Sequence, residues 1–325
     1  MGMSISGAVN MKNLCFVRAF SLCIILLLLF LLFSCVNSVK NGSGDEIEIV
    51  DSLGRVVSVA RSTTRVAALT GSFADVWVLA GGELCAAAED AWEDFELELP
   101  NTVNIGGAHS PSLEFLLSSD PELVLASASV ASNIDMLDIL ESVGIKVLYF
   151  DVDNFSDYLG MLNACTDITG RKDLYKQNGI DVQEEIERIK NAYTDSEKCD
   201  KVLLLRASST SLKAKGSRGT VIGEMLSDMG CVNIADSNGT LLDSLSLEAV
   251  MTEEPMHIFV VAMGKDETVA KRAIENLIKE NPAWATLEAV KEGRVHVMDK
   301  KLFNLKPNER WGEAYSVLYD ELTKK

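Results

Sequence analysis

One pattern occurs twice in this chain. Ser112–Ser127 reads SLEFLLSSDPELVLAS and Ser246–Val261 reads SLEAVMTEEPMHIFVV. In each, Ser-Leu-Glu is followed by five residues, an acid, Pro, two residues and an apolar run. Glu114 and Glu248 fall in one register, as do Pro121 and Pro255. A helix capped by Ser and stopped before Pro, then a buried strand, makes one folding unit. Its reuse restricts the chain to two similar halves. Between the copies lies Arg171–Tyr193. There Leu174, Val182, Ile186, Ile189 and Tyr193 keep one face apolar, while Glu184, Glu185, Glu187, Arg188 and Lys190 take the other. Gly179 costs such a helix about 1 kcal/mol against Ala. The spacing predicts one long helix with a broken first turn, a bar between the halves.

The rest of the chain alternates short apolar strands with helices. Strands are predicted at Arg65–Leu69, Cys85–Ala88, Leu123–Ala126 and Lys146–Phe150, then at Lys201–Leu205, His257–Ala262 and Val295–Met298. A hairpin across Asp51-Ser52-Leu53-Gly54 precedes them, and Asp90–Pro100 and Arg206–Thr220 read as loops. Such alternation indicates α/β architecture with parallel sheets covered on both faces.

The first 34 residues hold no acid, carry Lys12 and Arg18, and contain an apolar run from Leu22 to Phe33. That describes an export signal, residues 1–34. The run is short for a membrane-spanning helix, which takes about 20 residues. Leu32-Phe33-Ser34-Cys35 resembles a bacterial lipobox, although Phe33 stands where a small residue is usual. The resemblance implies that Cys35 is lipidated and holds the protein at the cell membrane on its extracytoplasmic face, with residues 35–45 as a flexible tether. The formal charge of −18 becomes −20 once Lys12 and Arg18 are set aside, which argues against a nucleic-acid partner. Cys85, Cys165, Cys199 and Cys231 have no CxxC spacing and read as buried free thiols.

No GxSxG elbow, GxGxxG loop or Walker loop is present, so the chain reads as a binder and not an enzyme, with no cofactor. A secreted two-lobed enzyme is the reading from another class. The basic set Arg206, Lys213, Lys215 and Arg218 falls within thirteen residues of an acidic chain, after the first strand of the second half. Open α/β sheets bind ligands at such strand ends, and these cations suit carboxylates or phosphate. Gly216-Ser217-Arg218-Gly219 offers backbone N–H groups for an anion. His109 lies in a Gly-rich loop after a strand, whereas His257 and His296 read as structural. Trp92 and Trp311 are the aromatic candidates for ligand contact, Trp311 either facing the cleft or packing in the second lobe. Glu114 and Glu248 sit in first helical turns, where an acid is favoured in any case.

In their order, GSFADVWVLAGG, NIGGAHSPSLEFLLSSDPELVLAS, GIKVLYF and ITGRKDLY resemble the first lobe of substrate-binding proteins of iron-siderophore, heme and vitamin B12 ABC importers. KAKGSRGTVIGEMLSDMGCVNIAD, LSLEAVMTEEPMHIFVV, NPAWATLEAVKEGRVHVMD and LFNLKPNERWGEAY resemble the second. The resemblance implies two doubly wound Rossmann-like α/β lobes, 46–170 and 194–325, joined by one long α-helix, 171–193, with ligand in the cleft between them. It implies a monomer that carries an iron chelate, heme or corrinoid to an ABC permease. Glu114 and Glu248 would dock into arginine pockets of that permease. A bare transition-metal ion held by His109 and carboxylates is the alternative, and the scarcity of His speaks against it.

Overall fold

The structure is a computed structural model that describes residues 46–61, 63–194, 200–264, 266 and 268–324. The signal segment, Cys35, the tether and Cys199 lie outside the described residues. The described residues open on an antiparallel hairpin, β1 (Glu46–Val50) and β2 (Val56–Ala60), with Glu46 opposite Ala60. The turn closes because Asp51, nearly buried, accepts from the N–H of Leu53 and of Arg55, both at 3.0 Å, and pairs with the Arg55 guanidinium at 2.6 Å.

The first sheet comprises β3 (Val66–Ala68), β4 (Leu84–Ala87), β5 (Val103–Asn104), β6 (Leu123–Ser127) and β7 (Lys146–Phe150), all parallel, in the order β5-β4-β3-β6-β7. The order reverses between β3 and β6, as in a doubly wound sheet. Helices cover both faces, so β6 is buried at every residue and shows no alternation. The second sheet is β8 (Lys201–Ala207), β10 (Val232–Asn233), β11 (His257–Ala262) and β12 (Val295–Met298), parallel in the order β10-β8-β11-β12. Its reversal lies between β8 and β11. An added strand, β9 (Leu212–Lys215), runs antiparallel on β8 inside the stretch read as a loop. Its Leu-Lys-Ala-Lys alternation places Leu212 and Ala214 on the core and both lysines on the other face.

The joining helix runs Lys172–Tyr175, Lys176–Ile180 and Asp181–Thr194, and its middle segment is π-helical. The widened turn falls on Asn178-Gly179 and turns Asn178 inward. There Asn178 Nδ2 donates to Leu79 O at 2.9 Å, and Tyr158 Oη donates to Asn178 O at 2.8 Å. What weakens the helix in sequence is what ties it to the first lobe. One buried apolar cluster passes through both halves. It takes Leu125 from β6 and Leu204 and Phe259 from the second sheet. Ile186 and Tyr193 of the joining helix, and Trp311 and Leu318 of the closing helix Trp311–Thr323, complete it. Among the described residues no helix is long and apolar enough to cross a membrane.

Candidate functional site

In open α/β sheets the crevice forms at the carboxyl ends of the strands where the order reverses. Both sheets have one. In the first, Thr70 and Ser72 follow β3, and Ser127 and Ser129 lie at the end of β6. They line an opening of about 200 Å³ together with Asp90, Phe95 and His109. Asn304, Leu305 and Lys306, from beyond β12, complete the wall, so the opening lies between the two lobes. In the second sheet, Ser208–Leu212 after β8 and Met263-Gly264 after β11 line a wider depression of about 830 Å³. It runs along the helix Thr268–Glu280 and takes no residue from the first lobe. We treat the smaller, two-lobed opening as the centre of the site, because of these two strand-end openings it is the one to which both lobes contribute side chains.

His109 lines this opening. The loop is shaped by Asn104 Oδ1, which accepts from the Gly106 N–H at 2.8 Å, and by Gly106 at φ 89°. Ala108 O is fixed by Asn133 Nδ2 at 3.2 Å. Beside it, burial pushes the Asp90 carboxyl above its ordinary value, and the nearby Asp94 charge adds to this. Hydrogen bonds from the backbone of Gly71 and Asp90, and the charge of His109, oppose it. Asp90 Oδ1 is buried with no hydrogen-bond partner among the described residues.

The basic set separates into a row and an outlier. The register sets Arg206 directly opposite Lys213 and Leu204 opposite Lys215, so Arg206, Lys213 and Lys215 share one face of the second sheet. Arg206 is half-buried, its Nε has no partner among the described residues, and burial pulls its pKa down. Among the described residues no carboxylate pairs with Arg206, Lys213, Lys215 or Arg218. Most other cations among the described residues do pair, including Arg55, Lys190, Arg272 and Arg294. Arg218 is exposed in the turn before the helix Val221–Asp228. Two of the four backbone N–H groups expected there to hold an anion are already engaged. The Ser217 N–H already donates to Asp236 Oδ1 at 2.7 Å, and the Gly219 N–H to Glu224 Oε1 at 3.4 Å. None of the row lines the two-lobed opening.

Neither tryptophan lines it. Trp311 is fully buried, edge-on to Phe155 at 6.1 Å between centroids, so of its two readings packing is the one realised. Trp92 is half-buried against the first-lobe core, and Phe95, one turn on, supplies the ring at the opening. His257 and His296 are buried side chains: Nδ1 of His257 lies 3.0 Å from Nε2 of His296, whose Nδ1 lies 2.7 Å from Glu321 Oε2. Among the described residues no group of three or more His, Cys, Asp or Glu is placed to hold a metal ion.

The repeated unit is the same in three dimensions. Ser112 Oγ accepts from the Phe115 N–H at 3.3 Å, and Ser246 Oγ from the Ala249 N–H at 3.4 Å. Asp120 and Glu254, before the two prolines, share left-handed backbone at φ 51° and 49°. Leu116 and Val250 are the buried anchors of the two helices. Glu114 and Glu248 occupy equivalent, exposed positions, and neither has an ion pair among the described residues.

Sequence reasoning missed Ser72, Ser129, Asp90 and Lys306. A signal existed for the serines, since both follow predicted strands. Which strand ends meet depends on strand order, which the local sequence does not carry.

A family model described as periplasmic binding protein matches residues 66–302. Among curated proteins, an iron-uptake system-binding protein of Bacillus subtilis (strain 168) is 23% identical over 269 residues, covering 80% of this chain and 82% of that one. An Fe(3+)-citrate-binding protein of the same organism is 26% identical over 294 residues, covering 85% and 88%. Among solved structures, Staphylococcus aureus SirA complexed with staphyloferrin B superposes with a TM-score of 0.67 at 20% identity, covering 86% of this chain and 99% of that one.

Proposed function

The chain belongs to the periplasmic binding protein family, and we propose that it captures an anionic iron chelate between its lobes and delivers it to the permease of an ABC importer. The observation that carries this reading is the opening between the lobes, with Lys306 in its lining. The row Arg206, Lys213 and Lys215 lies outside that lining, on one face of the second sheet, and adds positive charge to that lobe. Among the described residues no carboxylate pairs with these three cations. Leaving a guanidinium half-buried and unpaired costs stability, and a ligand bearing carboxylates offsets that cost. The names of the two Bacillus relatives, iron-uptake and Fe(3+)-citrate binding, support the same ligand class. A space of about 200 Å³ is below the roughly 300–1,000 Å³ usual for ligand pockets. The lobes therefore separate slightly to admit a chelate, and the shared core and helical bar keep that movement small.

Glu114 and Glu248 are the docking groups of this reading. Two exposed carboxylates on equivalent helices, without an ion pair among the described residues, suit two guanidinium pockets on one membrane partner and fix the register between them. Cys35 serves as the lipid anchor, with residues 35–45 as its tether.

Titrating the purified protein with ferric citrate, hemin and cyanocobalamin tests the ligand. We expect saturable one-to-one binding of ferric citrate. Arg206→Gln should weaken it about tenfold or more while raising the melting temperature. A variant that melts lower and binds normally would make Arg206 a structural residue. Binding of cyanocobalamin alone would move the ligand to a corrinoid. In cells, Glu114→Ala combined with Glu248→Ala should abolish uptake without altering binding by the purified protein, and intact uptake would end the docking role.

A further inference from the structure

The stretch 299–310 crosses from the second lobe onto the first. Lys300 Nζ lies 2.6 Å from Asp94 Oδ1, and Lys301 Nζ 2.8 Å from Glu96 Oε1. Asn308 Nδ2 donates to Ser72 O at 3.0 Å and to Asp75 Oδ2 at 2.7 Å. Two of these anchors are well sheltered, with the Lys300 side chain 12% exposed and Asn308 1% exposed. Lys306 differs. Its Nζ lies 3.3 Å from Asp153 Oδ1, the longest of the three ion pairs, and its side chain and that of Asp153 are 27% and 41% exposed. Lys306 alone of the three lysines lines the opening that holds His109, Ser129 and Asp90.

We propose that Lys306 selects anionic ligands at this opening, with Asp153 as a built-in competitor for its ammonium group. The proposal rests on the reading of the opening as the ligand site. A partly exposed ion pair is weak, because water screens it and two flexible side chains must be held. The same ammonium facing a carboxylate inside a confined, partly dehydrated space gains more, since the local dielectric is lower and the bond is charge-assisted. Exchange needs only a turn of the lysine side chain, because Lys300, Lys301 and Asn308 hold the strap on either side. Asp153, released, stays hydrated. Asp151, two residues away, is already biased towards its neutral form, first by burial and then by the charge of Asp153, with Lys306 opposing. A neutral ligand cannot win the lysine from Asp153, so the pair discriminates by charge.

The two partners should therefore act in opposite directions. Calorimetric titration of the full protein with ferric citrate should show Lys306→Gln weakening binding about tenfold, with a shallower dependence on sodium chloride. Asp153→Asn should tighten binding about threefold. Lys301→Gln, which breaks a strap pair away from the opening, should stay within about twofold. Melting curves on each variant separate folding from binding. Unchanged affinity in Lys306→Gln, or weaker binding in Asp153→Asn, overturns the inference while leaving the chelate reading intact. Failure of the parent protein to bind ferric citrate or hemin at all removes both.

Discussion

Asp75 is the residue where the lobe junction becomes sensitive to pH. Burial raises its carboxyl from 3.8 to about 7, the nearby Glu309 charge adds to this, and the hydrogen bond from Asn308 opposes it. Glu309 is itself raised, chiefly by burial, with Arg310 opposing and Glu313 adding. Tyr158, whose own ionisation is pushed far up, faces the same pair. A carboxyl raised on folding adds stability below its unfolded pKa and loses it as pH climbs through the folded one. The contribution is therefore full near pH 4 and gone above pH 7. We expect the melting temperature to fall by a few degrees between pH 5.5 and 8, on the order of 2 kcal/mol. Asp75→Asn should flatten that slope, and an unchanged slope would place the titration elsewhere.

Elements here are governed by packing where propensity points the other way. Gly223 sits inside the helix Val221–Asp228, where Ala is intrinsically better by about 1 kcal/mol. A Cβ there would lie 2.3 Å from Thr220 Oγ1 and 2.4 Å from the carbonyl oxygen of Ser217, and the backbone contact cannot swing aside. Overpacking of this kind costs about 1–3 kcal/mol. Gly223→Ala should therefore lose about 1–2 kcal/mol in urea unfolding. A variant as stable as the parent would show that the turn yields freely. The joining helix follows the same rule, since its π segment spends helical regularity on the inward bonds of Asn178.

The two lobes are expected to unfold together, because the largest core of the described residues ignores the division into halves. Leu125 and Leu204, from different sheets, belong to one buried cluster completed by Ile186 of the joining helix and Trp311 of the closing helix. Each such side chain contributes roughly 1.5–3 kcal/mol on burial, so neither half keeps its full core alone. Calorimetry should show a single unfolding transition, and two separated peaks would mean the lobes fold independently. A shared core also limits lobe motion, which suits a receptor that releases its ligand to a membrane partner by small adjustments.

Much of this was legible locally. Continuous apolar runs marked the buried strands, Ser-Leu-Glu marked the two equivalent units, and the Gly-rich loop after β5 marked His109, because each depends on near neighbours in the chain. The Leu-Lys-Ala-Lys alternation of β9 is four residues long and set within a polar stretch, too short a signal to mark a strand by itself. Tertiary structure alone decided the remainder. It closed the Gly216–Gly219 turn with Asp236, sank Trp311 into the core, brought Lys306 over the first lobe and set Asp75 against Asn308. Each of these pairs residues far apart in sequence, and what joins them is strand order and lobe apposition. Periodicity and capping report on a few neighbouring residues. Burial and charge compensation report on whatever the fold brings alongside.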